Sequence, residues 1–429
     1  NTYPLFAELG KTIMGARGRM GMVLPSGIAT DDTTKYFFQD IVSQQQLTHL
    51  YFFNNRVYFR DIGLNQKLFV TIVLSQVPSE GDAFFVASDV STTEEAVSPE
   101  RRYALTPSDI NLLNPNTGTC PIFRTRRDAE ITKAIYRRVP VLVNEVTGEN
   151  PWNVSFMRMF DMANDSGLFR TKEDLERDGF ELRGNRFVLG EQVYLPLYEA
   201  KMMHQFDHRF ATYTDSGDTR DLTLAEKRDP SKVPVPRYWV AEGEVRERLV
   251  KRRRDGGIEW QWDRRWLLGF RDITNSTNER TAIFSVVPLA GVGHTSPLAF
   301  SEDHAGRTYI LAANGNSLVF DYVARQKVGG THLTFGLLKQ LAFLPPAGYT
   351  AVEDEFVRAR VLELAYTAED LVPFARDLGY DCPPFPWDEE RRFWLRAELD
   401  ALYFHLYGIS RDDVDYIMET FPIVKRKDE

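Results

Sequence analysis

Cysteine is almost missing from this chain: 429 residues carry only Cys120 and Cys382. The two lie too far apart to suggest a zinc module, and a disulfide framework uses more of them, so an intracellular, reducing (cytoplasmic) location is expected. Long apolar runs are missing too. None approaches the roughly 20 residues that a spanning helix needs, and no membrane partner is expected. A basic stretch followed by an apolar one, the mark of a signal peptide, does not occur at the start. Neither a GxSxG elbow nor a GxxxxGK[ST] phosphate loop is present, and Gly15, Gly18 and Gly21 do not form GxGxxG. These absences leave a triad hydrolase and a nucleotidase unsupported. Internal repeats and low-complexity segments are lacking. With no initiator Met before Asn1, the chain is expected to be a fragment.

What is present is uneven charge. The net charge is −9, yet Glu353 to Glu429 alone holds 19 Asp/Glu against 10 Lys/Arg. The rest of the chain is therefore about neutral. Arg237 to Arg280 carries 11 Lys/Arg against 8 Asp/Glu, including the run Lys251 to Arg254, interleaved with Trp239, Trp260, Trp262 and Trp266. Such a stretch is either a phosphate-contacting surface or, given Asp255-Gly256-Gly257, a solvated hairpin turn.

The patterning predicts an α/β chain. Tyr3 to Met14 has the spacing of an amphipathic helix packing Leu5, Phe6, Leu9 and Ile13. Met20 to Leu24 is a short apolar run suited to a strand buried on both faces. Thr30, Asp31 and Asp32 then offer caps for a following helix. Strand-loop-helix units of this kind stack into doubly wound sheets. Leu47 to Phe53, Lys67 to Leu74 and Asp82 to Val86 are strand-like, the last two flanking a Pro78-Ser79-Glu80-Gly81 turn that would pair them as a hairpin. Helices are expected from Thr106-Pro107-Ser108-Asp109, from Thr125 to Arg138, and again over Glu353 to Ala365, Trp387 to Leu406 and Ser410 to Phe421. Ser410 and Asp413 have capping-box spacing. Residues from about 150 to 345 break into short aromatic and β-branched runs, a strand-rich mixed region.

His204, Asp207 and His208 place two imidazoles four apart, which on a helix would share a face and invite zinc. No HExxH glutamate accompanies them and aromatics flank them, so packing is the expected role and no metal is assigned.

The strings RGRMGMVLPSGIATDDTTKYFFQDIV, LTHLYFFNNRVYFRDIGLNQKLFVTIVLS and NPNTGTCPIFRTRRDAEITKAIY together resemble the Eco57I-type family of adenine-N6 DNA methyltransferases. That family occurs in fused type IIG restriction-modification enzymes and in the methylases of BREX and DISARM phage-defence systems. The resemblance continues through LPLYEAKMMHQFDHRFATY, PRYWV, LLGFRDITNSTNERTAIFSVVPLAGVGHTSPL and NSLVFDYVARQKVGGTHLTFGLLKQLAFLPP, and so covers nearly the whole chain. It implies S-adenosylmethionine-dependent methyl transfer to a flipped adenine in duplex DNA. The glycine-rich donor motif and the Asn-Pro-Pro-Tyr/Phe tetrapeptide of the family are both absent. The nearest strings, Asn114-Pro115-Asn116 and Pro383-Pro384-Phe385, stand in other contexts.

The resemblance thus implies the C-terminal half of a Rossmann-like class I methyltransferase sheet with a helical connector (1–145), a mixed α/β target recognition domain (146–350) and a helical C-terminal extension (351–429). Such a chain would not methylate alone, the donor being bound mainly by a missing N-terminal half. Ser26 to Asp31 would lie near the active-site rim. Phe59 matches the aromatic position that stacks on the extruded adenine, with Tyr58 its nearest competitor, unless Phe59 packs beneath Phe69. Arg271, Asn275, Asn278 and Arg280 in FRDITNSTNERT are types that hold phosphates or read base edges. Arg325, Lys327 and His332, with Asn316 and Thr331, surround Gly329-Gly330 in a loop suited to the DNA backbone. The bland alternative is turn geometry for the Asn residues and ion pairing for the Arg residues. In place of a fused enzyme, the same chain would serve as a non-catalytic specificity module docking on separate methylase or nuclease subunits.

Overall fold

The computed structural model describes residues 2–54, 57–58, 69–78 and 81–428. The chain divides into two compact units, residues 1–149 with 339–342, and residues 150–338 with 343–429.

The first unit is built on a five-stranded sheet. Its strands are β1 (Arg19–Pro25), β2 (Leu47–Phe53), β3 (Phe69–Ser75), β4 (Phe84–Val90) and β5 (Tyr103–Leu105), arranged in the order β1-β3-β2-β4-β5. Leu50, Ile72 and Val86 stand side by side in the register and are fully buried. Only β2 and β4 run parallel; β1–β3, β2–β3 and β4–β5 are antiparallel. The mixed α/β character matches expectation, but the doubly wound pattern extends no further than that one parallel pair. The expected β3–β4 hairpin does not form, because β2 lies between them.

Two further corrections concern the start of the chain. β1 is the outermost strand among the described residues and is largely exposed, not buried on both faces. Helix α1 (Tyr3–Ile13) forms as expected, yet its large apolar residues face outward, with Leu5 71% and Ile13 74% exposed. The small face packs instead. Ala7 is buried, and a Cβ on Gly10 would come within 2.5 Å of the Met20 sulfur, so this helix approaches β1 through its least bulky positions.

Helix α2 (Lys35–Ser43) buries Phe38, Ile41 and Val42. Helices α3 (Pro107–Leu113) and α4 (Arg126–Arg138) begin at capping boxes, Thr106 with Asp109 and Thr125 with Asp128, each side chain satisfying an amide that the helix start leaves open. The segment 339–342 returns to this unit, where the Gln340 carbonyl accepts from the Tyr136 hydroxyl at 2.7 Å.

The second unit has an antiparallel sheet ordered β10 (Phe284–Pro288), β9 (Trp266–Phe270), β11 (Leu298–Ser301), β6 (Val154–Met157). Strands β9, β10 and β11 are buried at every position. A second antiparallel sheet uses residues 181–198 and Trp239–Ala241. A separate hairpin joins β7 (Val250–Arg252) to β8 (Ile258–Gln261).

Helix α5 (Thr308–Asn316) lies so close to β10 that a Cβ on Gly315 would sit 2.6 Å from the Phe284 ring. It leads into α6 (Leu318–Lys327), whose first amide donates to Asp400 on α8 (Glu389–Leu406) at 2.6 Å. α7 (Ala351–Ala365) joins the same core, its Asp354 accepting from the Tyr309 hydroxyl. Residues 351–428 thus share a core with the strands before them and do not stand apart as an extension. No described helix is long and apolar enough to cross a membrane.

Candidate nucleic-acid interface

Where β9 ends, the chain continues as Arg271-Asp272-Ile273-Thr274 and lies beside the segment after α6. The Leu333 amide donates to the Asp272 carbonyl at 2.8 Å, and the Thr274 amide to the Thr331 carbonyl at 3.0 Å. Ile273 and His332 form an isolated antiparallel bridge. This pairing buries Asp272 and brings two basic side chains onto its carboxylate. Arg158, just past β6, reaches one oxygen at 3.1 Å, and His332 Nδ1 the other at 3.2 Å.

Both side chains remain about half open to solvent, Arg158 at 47% and His332 at 52%. The Arg158 guanidinium also lies over the Phe335 ring at 5.1 Å, and that ring stacks on Phe156 of β6. Its orientation is therefore set from two sides. Exposed Ile273 stands beside the pair, and Gly329 and Gly330 present open backbone. A buried carboxylate that fixes an exposed guanidinium beside an exposed imidazole suits an anionic partner, since charge-assisted bonds from a fixed guanidinium are strong and directional.

The other expected contacts have different fates. Arg280 is buried against Asp321 at 2.8 Å and also donates to the Asn316 carbonyl. Arg325 meets the same Asp321 and the carbonyls of Asn278, Glu279 and Thr420. Its guanidinium sits 4.0 Å from the centre of the Phe421 ring. Both are committed to the interior, which corrects the expectation that they touch DNA. Arg271 donates to the Met203 carbonyl, and burial lowers its pKa to about 10. It too is held inward rather than presented.

Asn275 accepts from the Thr277 amide at 2.9 Å, the turn role that its residue type allows. Asn278 is exposed. Buried Asn316 bonds both backbone groups of Phe284. Lys327 is partly covered, and burial holds its ammonium well below the usual lysine range. Of the expected set, Thr331, His332 and Asn278 are exposed. Arg158 was missed; a single Arg inside the apolar run Phe156-Met157-Arg158-Met159 was the available signal.

Phe59 lies outside the described residues. Tyr58 is half exposed and sets its ring edge-on to the stacked Phe53–Phe69 pair. His204 and His208 do not share a helical face. His204 packs on Phe210, its pKa driven down to about 3 by burial, while His208 bonds Asp370 at 2.9 Å. No group of three or more metal-ligating side chains occurs among the described residues.

The end of β1 carries Ser26 to Asp31, which the resemblance puts near an active-site rim. There Gly27 is closed in by its own chain, a Cβ on it meeting Asp31 at 2.3 Å and the Tyr3 hydroxyl at 3.0 Å. Ser26 to Asp31 forms a short, closed helical turn.

No family model matches the chain, and no curated protein is similar to it. Among solved structures it is similar to the type IIG restriction endonuclease BpuSI, with 12% identity over 98% of this chain and 49% of that one, at a TM-score of 0.30. It is also similar to the Type IIL restriction-modification enzyme MmeI in complex with DNA, with 12% identity over 99% of this chain and 52% of that one, at a TM-score of 0.41. The chain spans about half the length of those proteins.

Proposed function

We propose that this chain is the DNA-reading part of a site-specific adenine-N6 DNA methyltransferase in a restriction-modification or phage-defence system. The observation that carries the proposal is Asp272, buried and dividing its two oxygens between half-exposed Arg158 and His332. The Arg158 guanidinium would meet phosphate or a guanine edge in the major groove, both of which accept its donors, with His332 beside it. The motif resemblance of the whole chain supports adenine as the target and S-adenosylmethionine as the donor, which would be bound by residues other than the ones described.

The outward apolar face of α1 favours a second reading, a specificity module docking on separate methylase or nuclease subunits. An in-frame Asn-Pro-Pro-Tyr/Phe upstream of Asn1 supports the fused enzyme, and a start codon beside Asn1 supports the module.

Duplex binding followed by fluorescence anisotropy tests the common part. Affinity should fall steeply between about 50 and 200 mM salt, and Arg158→Ala should weaken it by roughly 1–3 kcal/mol. No duplex binding at low salt overturns the proposal.

A further inference from the structure

The run Lys251 to Arg254 forms the end of the β7–β8 hairpin, and every residue from Lys251 to Glu259 is exposed. The base is fixed by aromatics. Trp260 and Trp262 set their rings against Phe300 at 5.0 and 5.1 Å, and the Trp262 indole donates to the Trp266 carbonyl at 2.8 Å. The Trp262 amide bonds the carbonyl of buried Leu249. A projecting tip on a locked base is a rigid finger rather than a loose loop.

At the tip, the Gly256 amide donates to the Arg253 carbonyl at 3.0 Å and the Arg253 amide to the Gly257 carbonyl at 2.7 Å. Gly256 takes a φ of +86°, the left-handed residue that completes such a turn. The Asp255 carboxylate accepts from the Gly257 amide at 2.9 Å. It is thus used by the turn itself. Lys251 pairs with Glu259 at 2.6 Å, and Arg252 lies 3.5 Å from Glu247. Arg253 and Arg254 have no ion-pair partner among the described residues. Turn geometry asks for the Asp and the glycines, but nothing in it requires two adjacent guanidinium groups.

Resting on the DNA reading above, we propose that the β7–β8 hairpin is a second DNA contact, with Arg253 and Arg254 placed on backbone phosphates. The partner is duplex DNA, met through its charge and not its sequence. Each phosphate contact releases about one counterion, so two of them have a defined salt signature.

The test compares the chain with Arg253→Ala/Arg254→Ala and with Arg411→Ala, an exposed arginine elsewhere paired to Asp415. Anisotropy is read on specific and random duplexes across a salt series. The double variant should lower the slope of log K against log salt by about 2 and weaken both duplexes by a similar factor, roughly tenfold or more at moderate salt. Arg411→Ala should leave the slope in place. Thermal unfolding of the double variant should match the wild type, because both side chains are exposed. An unchanged slope in a chain that does bind duplex overturns the hairpin contact alone, as does an equal per-charge loss in Arg411→Ala. Absence of duplex binding by the wild type removes the DNA reading, and the hairpin contact with it.

Discussion

Asp321 has no exposed surface, and it divides its oxygens among Arg280, Arg325 and the Thr281 amide. Replacing it by Ala would leave two buried guanidinium groups without their shared anion. Denaturant unfolding of Asp321→Ala should show a loss of about 3–5 kcal/mol, the range for breaking a buried ion pair from one side. This cluster also explains why the FRDITNSTNERT segment misled. In sequence Arg271, Arg280 and the two asparagines look equally available, since the anion that claims Arg280 lies forty residues on. The exposure of His332 was legible because its polar loop with two glycines stays open. Arg158 was not, because its role depends on a carboxylate that only folding brings near.

Helices with a polar face and a cap were the most legible elements. Thr106, Thr125 and Ser410 each cap the helix that the spacing predicts, with local hydrogen bonds that need no distant partner. α5 escaped notice for the opposite reason. Every residue of Thr308–Asn316 is buried, so no 3.6-residue alternation of apolar and polar survives, and its Asn-Gly-Asn resembles a turn. Gly315 is there for contact with Phe284, not for flexibility. Gly315→Ala should therefore destabilise despite alanine's better helix propensity, by about 1–3 kcal/mol of overpacking, measured by thermal unfolding. Strand pairing was the weakest expectation. β3 and β4 are separated by a turn signal, yet each chose β2, and such a choice rests on partners that no local run reveals.

For the whole molecule, the change to helical, acidic composition near residue 350 marks a change of secondary structure within one core rather than a domain boundary. Composition sees elements; it does not see what they pack on. Stability of the second unit should also depend on pH through His204. Its folded pKa, about 3, lies below the ordinary 6.5, so the folded chain keeps the neutral ring while the unfolded chain takes up a proton. The stabilisation is complete above pH 6.5 and is lost as pH falls toward 3. Asp400 acts in the other direction, its folded pKa of about 6 favouring the fold as pH drops from 6 toward 3.8. His204→Gln removes the first effect and keeps the second. Denaturant midpoints between pH 6.5 and 3 should fall less steeply for that variant, by a difference on the order of 2–4 kcal/mol at the acid end.

The outward face of α1 and β1, the outermost strand among the described residues, lie next to one another, and together they set how the purified chain will behave in a tube. Among the described residues β1 pairs on one side alone, and such an edge beside a strip of leucine, phenylalanine and isoleucine is a template for another extended segment. Kept dilute, the chain offers that template to nothing. When it is concentrated, the patch becomes its adhesive, and self-association through this corner would compete with every measurement made at high concentration.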